Sequence, residues 1–314
     1  MMKNQSSRKG PGEAQDATSA ERTDVFPGAV SLTTIFQQCS RRIENPPADA
    51  SAGRFQPAWP SLDCHFAALK PGDVAIVGAT RNQGKTWFCL DLAMRASRCG
   101  PVLWRSRLLR PEELAFRILT LTTGIETGRL TRGWIVEQER KAIRDAITNL
   151  SNCRLHLGNW WDEGPEQGVG GSSVLLGPEK PVLAFIDDLG IECASFPWNA
   201  STLTWHVETW RKVAQFAQVP LVLIAGLPLP PTHKRGKQHP DLSDLVEAGF
   251  RPELAELVIF LDRPEYWMGA DTPPFKKGMM EVLVVKSPLH LGMRHFKCGF
   301  DGNSGQILKD DGRI

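Results

Sequence analysis

The sequence predicts an α/β fold in which a mostly parallel sheet is flanked by helices. Two observations carry that prediction. From residue 60 onward, apolar runs of strand length alternate with stretches of helical periodicity. One of those runs also leads through a glycine-containing loop directly into a helix-like segment. A chain of 314 residues that is 41% hydrophobic and 23% charged is ordinary globular material, large enough for one such domain with extensions.

Taken in order, residues 1–27 are polar and lack apolar periodicity, so they cannot bury enough surface to offset ordering entropy, and a disordered tail is expected. Ser31 is placed to cap a short helix over 32–43, with Leu32, Ile35, Phe36, Cys39 and Ile43 on one face. A Pro/Gly/Ala-rich linker follows, so 28–59 reads as linker helix plus linker and 60–314 as the domain. The helix has to bury its face either on its own domain or on a neighbouring subunit. Strands are expected at 74–77, 102–105, 154–157, 182–187, 221–225, 257–261 and 281–285, and helices at 86–98, 111–122, 135–150, 203–218 and 242–248. The polar, Gly-rich stretch 162–180 stands where a crossover helix would be expected and reads as a surface loop.

Charge and cysteine usage narrow the class. A net charge of +2 gives no global field, so any nucleic-acid contact must come from a local patch. The seven cysteines are scattered without a C-x-x-C pair, which argues for reduced thiols in a cytoplasmic protein and against a zinc site. No apolar run approaches membrane-spanning length and the N-terminus is polar, so neither a membrane span nor a signal peptide is expected.

The most informative stretch is 73-DVAIVGATRNQGKTWFCL-90. A loop that curls its backbone N–H groups around a phosphate needs residues without an obstructing Cβ, and the helix behind it aims its N-terminal dipole at the same charge. Ala79, Thr80, Arg81, Asn82, Gln83, Gly84, Lys85 and Thr86 fit that P-loop pattern, with Ala79 where the first glycine usually stands. Lys85 is the candidate for the β/γ-phosphates of ATP, and the Thr86 hydroxyl for Mg²⁺. The partner carboxylate such a loop needs is supplied by 182-VLAFID-187, an apolar run ending in Asp187, the second candidate Mg²⁺ ligand.

Reading outward from these motifs, the chain resembles the C-terminal ATPase domain of DnaB-type replicative hexameric helicases. The resemblance rests on 62-LDCHFAALKPGDVAIVGATRNQGKT-86, 219-VPLVLIAGL-227 and 240-PDLSDLVEAGFRPELAELVIFLDRPEYW-267, which together span most of residues 60–300. It implies a RecA-like P-loop NTPase fold and a homo-oligomer, a ring of six with ATP between subunits. It also implies single-stranded DNA in the channel, movement 5′ to 3′, and a place in DNA replication or a mobile element. The helix at 32–43 stands where the family has the helix that docks on the next subunit. The chain leaves no room for the family's N-terminal helical domain, which engages primase, so any replication partner is open.

The family's loop often begins with alanine, which accounts for Ala79. Other departures bear on hydrolysis. The family's catalytic glutamate falls on Leu108, its γ-phosphate-sensing glutamine on Gly226, and its arginine finger on Pro288, while Lys286 keeps the preceding lysine. Glu112, Glu113 or Asp188 are candidate substitutes for the acid, and Arg294 for the finger; each also reads as a solvated surface residue. The family's pore loops fall on 230-PPTHKRGKQHP-240, where Lys234, Arg235 and Lys237 suit phosphate contact, although an exposed solvating loop explains them equally well. The expectation is a DnaB-like ATP-binding helicase or translocase domain. The alternative is a hydrolysis-deficient, nucleotide-gated scaffold that binds DNA or a partner.

Overall fold

In chain order the strands are β1 (Val74–Ala79), β2 (Val102–Ser106), β3 (Leu155–Asn159), β4 (Leu183–Asp187), β5 (Leu221–Gly226), β6 (Leu257–Asp262), β7 (Met279–Lys286), β8 (Arg294–Phe300) and β9 (Ile307–Lys309). The computed structural model describes residues 59–106, 108–159, 179–187, 200–227, 239–247 and 250–309. Within these, the strands form one sheet in the order β3-β2-β4-β5-β1-β6-β7-β8-β9. From β3 to β6 every pairing is parallel; from β6 to β9 every pairing is antiparallel.

The central strands β1, β4, β5 and β6 are buried along their whole length, which is what near-continuous Val, Ile, Leu and Ala runs require of a sheet covered on both faces. Alternate residues of β1 enter opposite cores. Ala75, Val77 and Ala79 pack with Phe66, Phe88, Leu92 and Ala96 on one side. Val74 and Ile76 pack with Val207, Trp210 and Ala214 on the other. The first layer is built from α1 (Pro60–Ala67), α2 (Lys85–Ala96) and α3 (Pro111–Thr123), the second from α6 (Ala200–Ala217) and α7 (Leu242–Glu247). The short α4 (Thr127–Arg132), the amphipathic α5 (Glu137–Leu150) and α8 (Pro264–Met268) complete the helices described.

All seven expected strands and all five expected helices from residue 60 onward are present, with ends displaced by a turn or less. The sequence reading missed α1, α4, α8, β8 and β9. In β8 the outward positions Arg294, His295 and Lys297 are exposed and only Cys298 and Phe300 are buried, so the run reads as polar. The expected tail, the helix at 32–43 and most of the stretch 162–180 lie outside the described residues.

One buried ion pair ties the entry helix to the helix behind the loop. The Asp63 carboxylate, 1% exposed, accepts from Arg95 Nη1 and, at 2.9 Å, from the Trp59 backbone N–H. Arg95 also reaches Asp91 through Nε at 3.1 Å. Removing one partner of such a pair leaves an uncompensated buried charge. Asp63→Ala is therefore expected to lower the unfolding free energy by about 3–5 kcal/mol, read as a shifted urea midpoint at unchanged slope.

Candidate functional site

At the C-terminal edge of the sheet, β1 ends at Ala79 and α2 starts at Lys85, leaving five residues to reverse the chain. Two of them adopt left-handed backbone: Asn82 at φ 61° and Gly84 at φ 91°. For Gly84 the glycine is required twice over. A Cβ there would meet Met280 Cε at 2.6 Å and Phe300 Cζ at 3.2 Å, in addition to the strained φ. The turn leaves the first amides of α2 without intrahelical acceptors, which is the condition for an anion site. Lys85 Nζ donates to Ala79 O at 3.1 Å and Thr80 O at 3.0 Å, so the ammonium lies along the loop.

Side chains from far along the sequence hold the loop. Gln83, 1% exposed, accepts from the Arg263 backbone N–H at 2.5 Å through Oε1. Arg263 Nη1 donates to Asn82 O at 3.2 Å, its Nη2 pairs with Glu265 at 3.1 Å, and its guanidinium lies 4.4 Å from the Phe300 ring centroid. Asn82 Nδ2 donates to the Tyr266 hydroxyl at 3.2 Å. Thr80 Oγ1 and Gln83 Nε2 are buried without a hydrogen-bond partner. Such orphaned polar atoms beside free amides fit a polyoxygen anion, and a threonine hydroxyl with a strand-end carboxylate fits a hard divalent cation.

Asp187 ends β4, is 4% exposed, and stands level with Ser106 of β2 in the parallel register. Burial pushes the Cys89 thiol well above its usual range; the Asp187 charge adds to that and the Lys85 ammonium opposes it. The loop lysine and the strand-end aspartate therefore share one neighbourhood. Arg117 on α3 belongs to it too. Burial lowers its proton affinity, Asp187 and then Glu113 work against that, and its guanidinium lies 5.7 Å from the Trp87 ring centroid. Sequence reasoning missed Arg117, which sits in no recognisable motif; Arg263 falls in the segment 240–267 that carries the resemblance, but its role in bracing the loop shows only in the fold.

The substituted positions are also defined. Leu108 is 57% exposed beyond the end of β2. Gly226 ends β5 directly beside Ala79. Lys286 Nζ is engaged with Pro252 O at 3.1 Å. Pro288 opens the turn between β7 and β8, and Arg294 begins β8 with its side chain exposed. Glu113 caps α3, accepting from the Arg110 backbone N–H at 2.8 Å, an interaction that lowers its pKa; Glu112 is exposed. Asp188 and the basic residues Lys234, Arg235 and Lys237 lie outside the described residues. No described helix is long and apolar enough to cross a membrane.

Known proteins resemble this arrangement. The model of the DnaB-like helicase C-terminal domain family matches residues 56–162. A probable replicative DNA helicase of Trieres chinensis is 23% identical over 301 residues, covering 91% of this chain and 64% of that protein. A probable plasmid replicative DNA helicase of Chlamydia psittaci is 24% identical over 233 residues, covering 73% of this chain and 50% of its own length. The chain thus spans between half and two thirds of these two relatives. Among solved structures, a DnaB-like replicative helicase studied with primase matches at TM-score 0.68 and 19% identity over 90% of this chain and 67% of that one. A second solved structure, of an isolated ATPase domain, matches at TM-score 0.67 and 19% identity over 89% of this chain and 99% of that one. The fold is that of the RecA-like helicase ATPase domains.

The packing around Gly84 makes a specific claim. Gly84→Ala is expected to cost on the order of 1–3 kcal/mol through strained φ and overpacking. Adding Met280→Ala should recover the packing part and leave the φ part. Additive losses in that double-mutant cycle would show that Met280 does not confine the loop.

Proposed function

We propose that this chain, a member of the DnaB-like helicase C-terminal domain family, is an ATP-driven helicase or translocase domain acting on single-stranded DNA in replication or in a mobile element. The observation that carries the reading is the left-handed, Arg263-braced loop ahead of α2, with Lys85 and Asp187 in one neighbourhood. The names of the relatives, one of them a plasmid replication protein, support it.

In this reading the amides of residues 79–86 and the Lys85 ammonium bind the phosphates, while Thr86 and Asp187 hold Mg²⁺. Bound Mg²⁺ supplies charge neutralisation across the β- and γ-phosphates. Phosphoryl transfer demands mainly positioning and electrostatic stabilisation, and the chain's own contribution is the preset loop and its cation. The Leu108 side chain cannot take a proton from water. Glu113 is already committed to capping α3, which leaves Glu112, or Asp188 next to Asp187 in sequence, as the substitute acid. Arg117 offers a guanidinium in cis where Pro288 offers none. We assign single-strand contact to Lys234, Arg235 and Lys237, and the working form to a cytoplasmic homo-oligomeric ring, hexameric as in the family. A replication partner is open for this chain; the structural neighbour was studied with primase.

The test is steady-state ATP turnover with and without single-stranded DNA, beside ATP binding on the same sample. Binding with DNA-stimulated turnover, both lost in Lys85→Ala, is the expected result; binding without turnover would remove the motor function. Replacing Lys234, Arg235 and Lys237 together by alanine should weaken single-strand binding and reduce its log–log salt slope by about 2. An unaltered slope would exclude that segment from the DNA site.

A further inference from the structure

We propose that His239, Glu281 and His295 form a binding site for a divalent transition-metal ion of the zinc type, separate from the nucleotide site. Their ligand atoms all lie within 4.8 Å of one another. Glu281 Oε2 is 3.1 Å from His239 Nδ1 and 3.2 Å from His295 Nε2. Bonds of about 2.0–2.1 Å around a tetrahedral zinc ion put neighbouring ligand atoms about 3.3 Å apart, so both measured separations match edges of such a site.

The strands account for the assembly. Asp262 of β6 stands opposite Glu281 of β7 in the antiparallel register, and His295 of β8 stands opposite Leu283, so Glu281 and His295 share one face of the sheet. His239 reaches the same face from the residues ahead of α7. The Glu281 side chain is only 3% exposed, a costly place for a carboxylate without compensation. Its Oε2 has no hydrogen bond: both imidazole nitrogens are in reach, but neither is aligned as a donor. A carboxylate oxygen buried, unbonded and flanked by two ring nitrogens is arranged as a ligand set is arranged.

A fourth ligand is at hand. Asp262 Oδ2 lies 3.2 Å from His239 Nδ1, and the Trp267 indole N–H donates to the other oxygen, Oδ1, at 2.9 Å. Outer hydrogen bonds of this kind fix ligand orientation. With neutral imidazoles the two carboxylates leave a charge of about −2, which one divalent ion cancels. Among the described residues, Lys297 stands opposite Glu281 in register and is exposed, and the charge of Lys276 is felt at His239. Imidazole ligands select zinc, nickel or copper over magnesium, so this chemistry differs from that assigned to Thr86 and Asp187. The bound ion would tie β7 and β8 to residue 239, which directly precedes the turn into α7.

Cobalt(II) titration of the full chain after chelator treatment tests the assignment. We expect saturable binding of one equivalent, visible bands of a four-coordinate nitrogen and oxygen site, no thiolate charge-transfer band, and displacement by zinc. Glu281→Gln and His295→Asn should each weaken binding about tenfold or more, whereas His156→Asn on β3 should not. Because His295 is at the exposed rim, its variant is expected to melt like the parent without metal, and to lose the rise in melting temperature that zinc gives the parent. Absence of saturable binding, a thiolate band, or unchanged affinity in His295→Asn would overturn the site.

Discussion

The fold depends on one constraint: the loop between β1 and α2 must hold one shape while it passes through left-handed backbone at Asn82 and Gly84. The chain meets this with side-chain contacts from far along the sequence. Gln83 is tied to the Arg263 amide, Asn82 to Arg263 and Tyr266, and Gly84 is enclosed by Met280 and Phe300. The antiparallel extension β7-β8 is therefore more than an edge. It supplies the wall against which a left-handed glycine fits and a bulkier residue does not, and its Phe300 ring carries the guanidinium that braces the loop.

The sheet order sets the rest of the geometry. β5 lies between β1 and β4, so Asp187 reaches the neighbourhood of Lys85 from two strands away. The same edge of the sheet carries Gly226 beside Ala79 and Leu108 beyond β2, positions without a proton acceptor or a hydrogen-bonding side chain. In the proposed reading the phosphate-binding residues are present in kind, and the polar groups missing at Leu108, Gly226 and Pro288 would come from Glu112, Asp188, Arg117, Arg294 or another subunit.

What the sequence makes legible follows from locality. The buried parallel strands announce themselves as apolar runs, and α2 by its spacing of Trp87, Leu90, Leu92 and Ala93, so seven strands and five helices could be read directly. The loop's shape was also readable, because Gly84-Lys85-Thr86 follows a strand within a few residues. β8 was not, since Arg294, His295 and Lys297 face solvent and leave only two buried residues to mark it. α4 and α8 are too short for periodicity to register. The role of the loop's braces was not legible: Arg263 falls in the segment 240–267 that carries the resemblance, but it lies 180 residues beyond Gln83 and only the fold shows that it holds the loop. The same holds for His239, Glu281 and His295. Cysteine spacing argued against zinc, but these residues come from two strands and from the segment ahead of α7, and leave no spacing to read.

The end of β6 joins these two arrangements, because consecutive residues there serve both. The Asp262 carboxylate faces His239 and Trp267, while the next residue, Arg263, holds the loop through its amide and its guanidinium. Neighbouring side chains on a strand point to opposite faces, so the strand end is restrained from both sides. Contacting groups on a shared backbone segment do not act independently. A change at Asp262 must therefore be judged by its effect on Arg263 as well as on the histidine cluster, and a change in the loop by its effect on the strand end that anchors it.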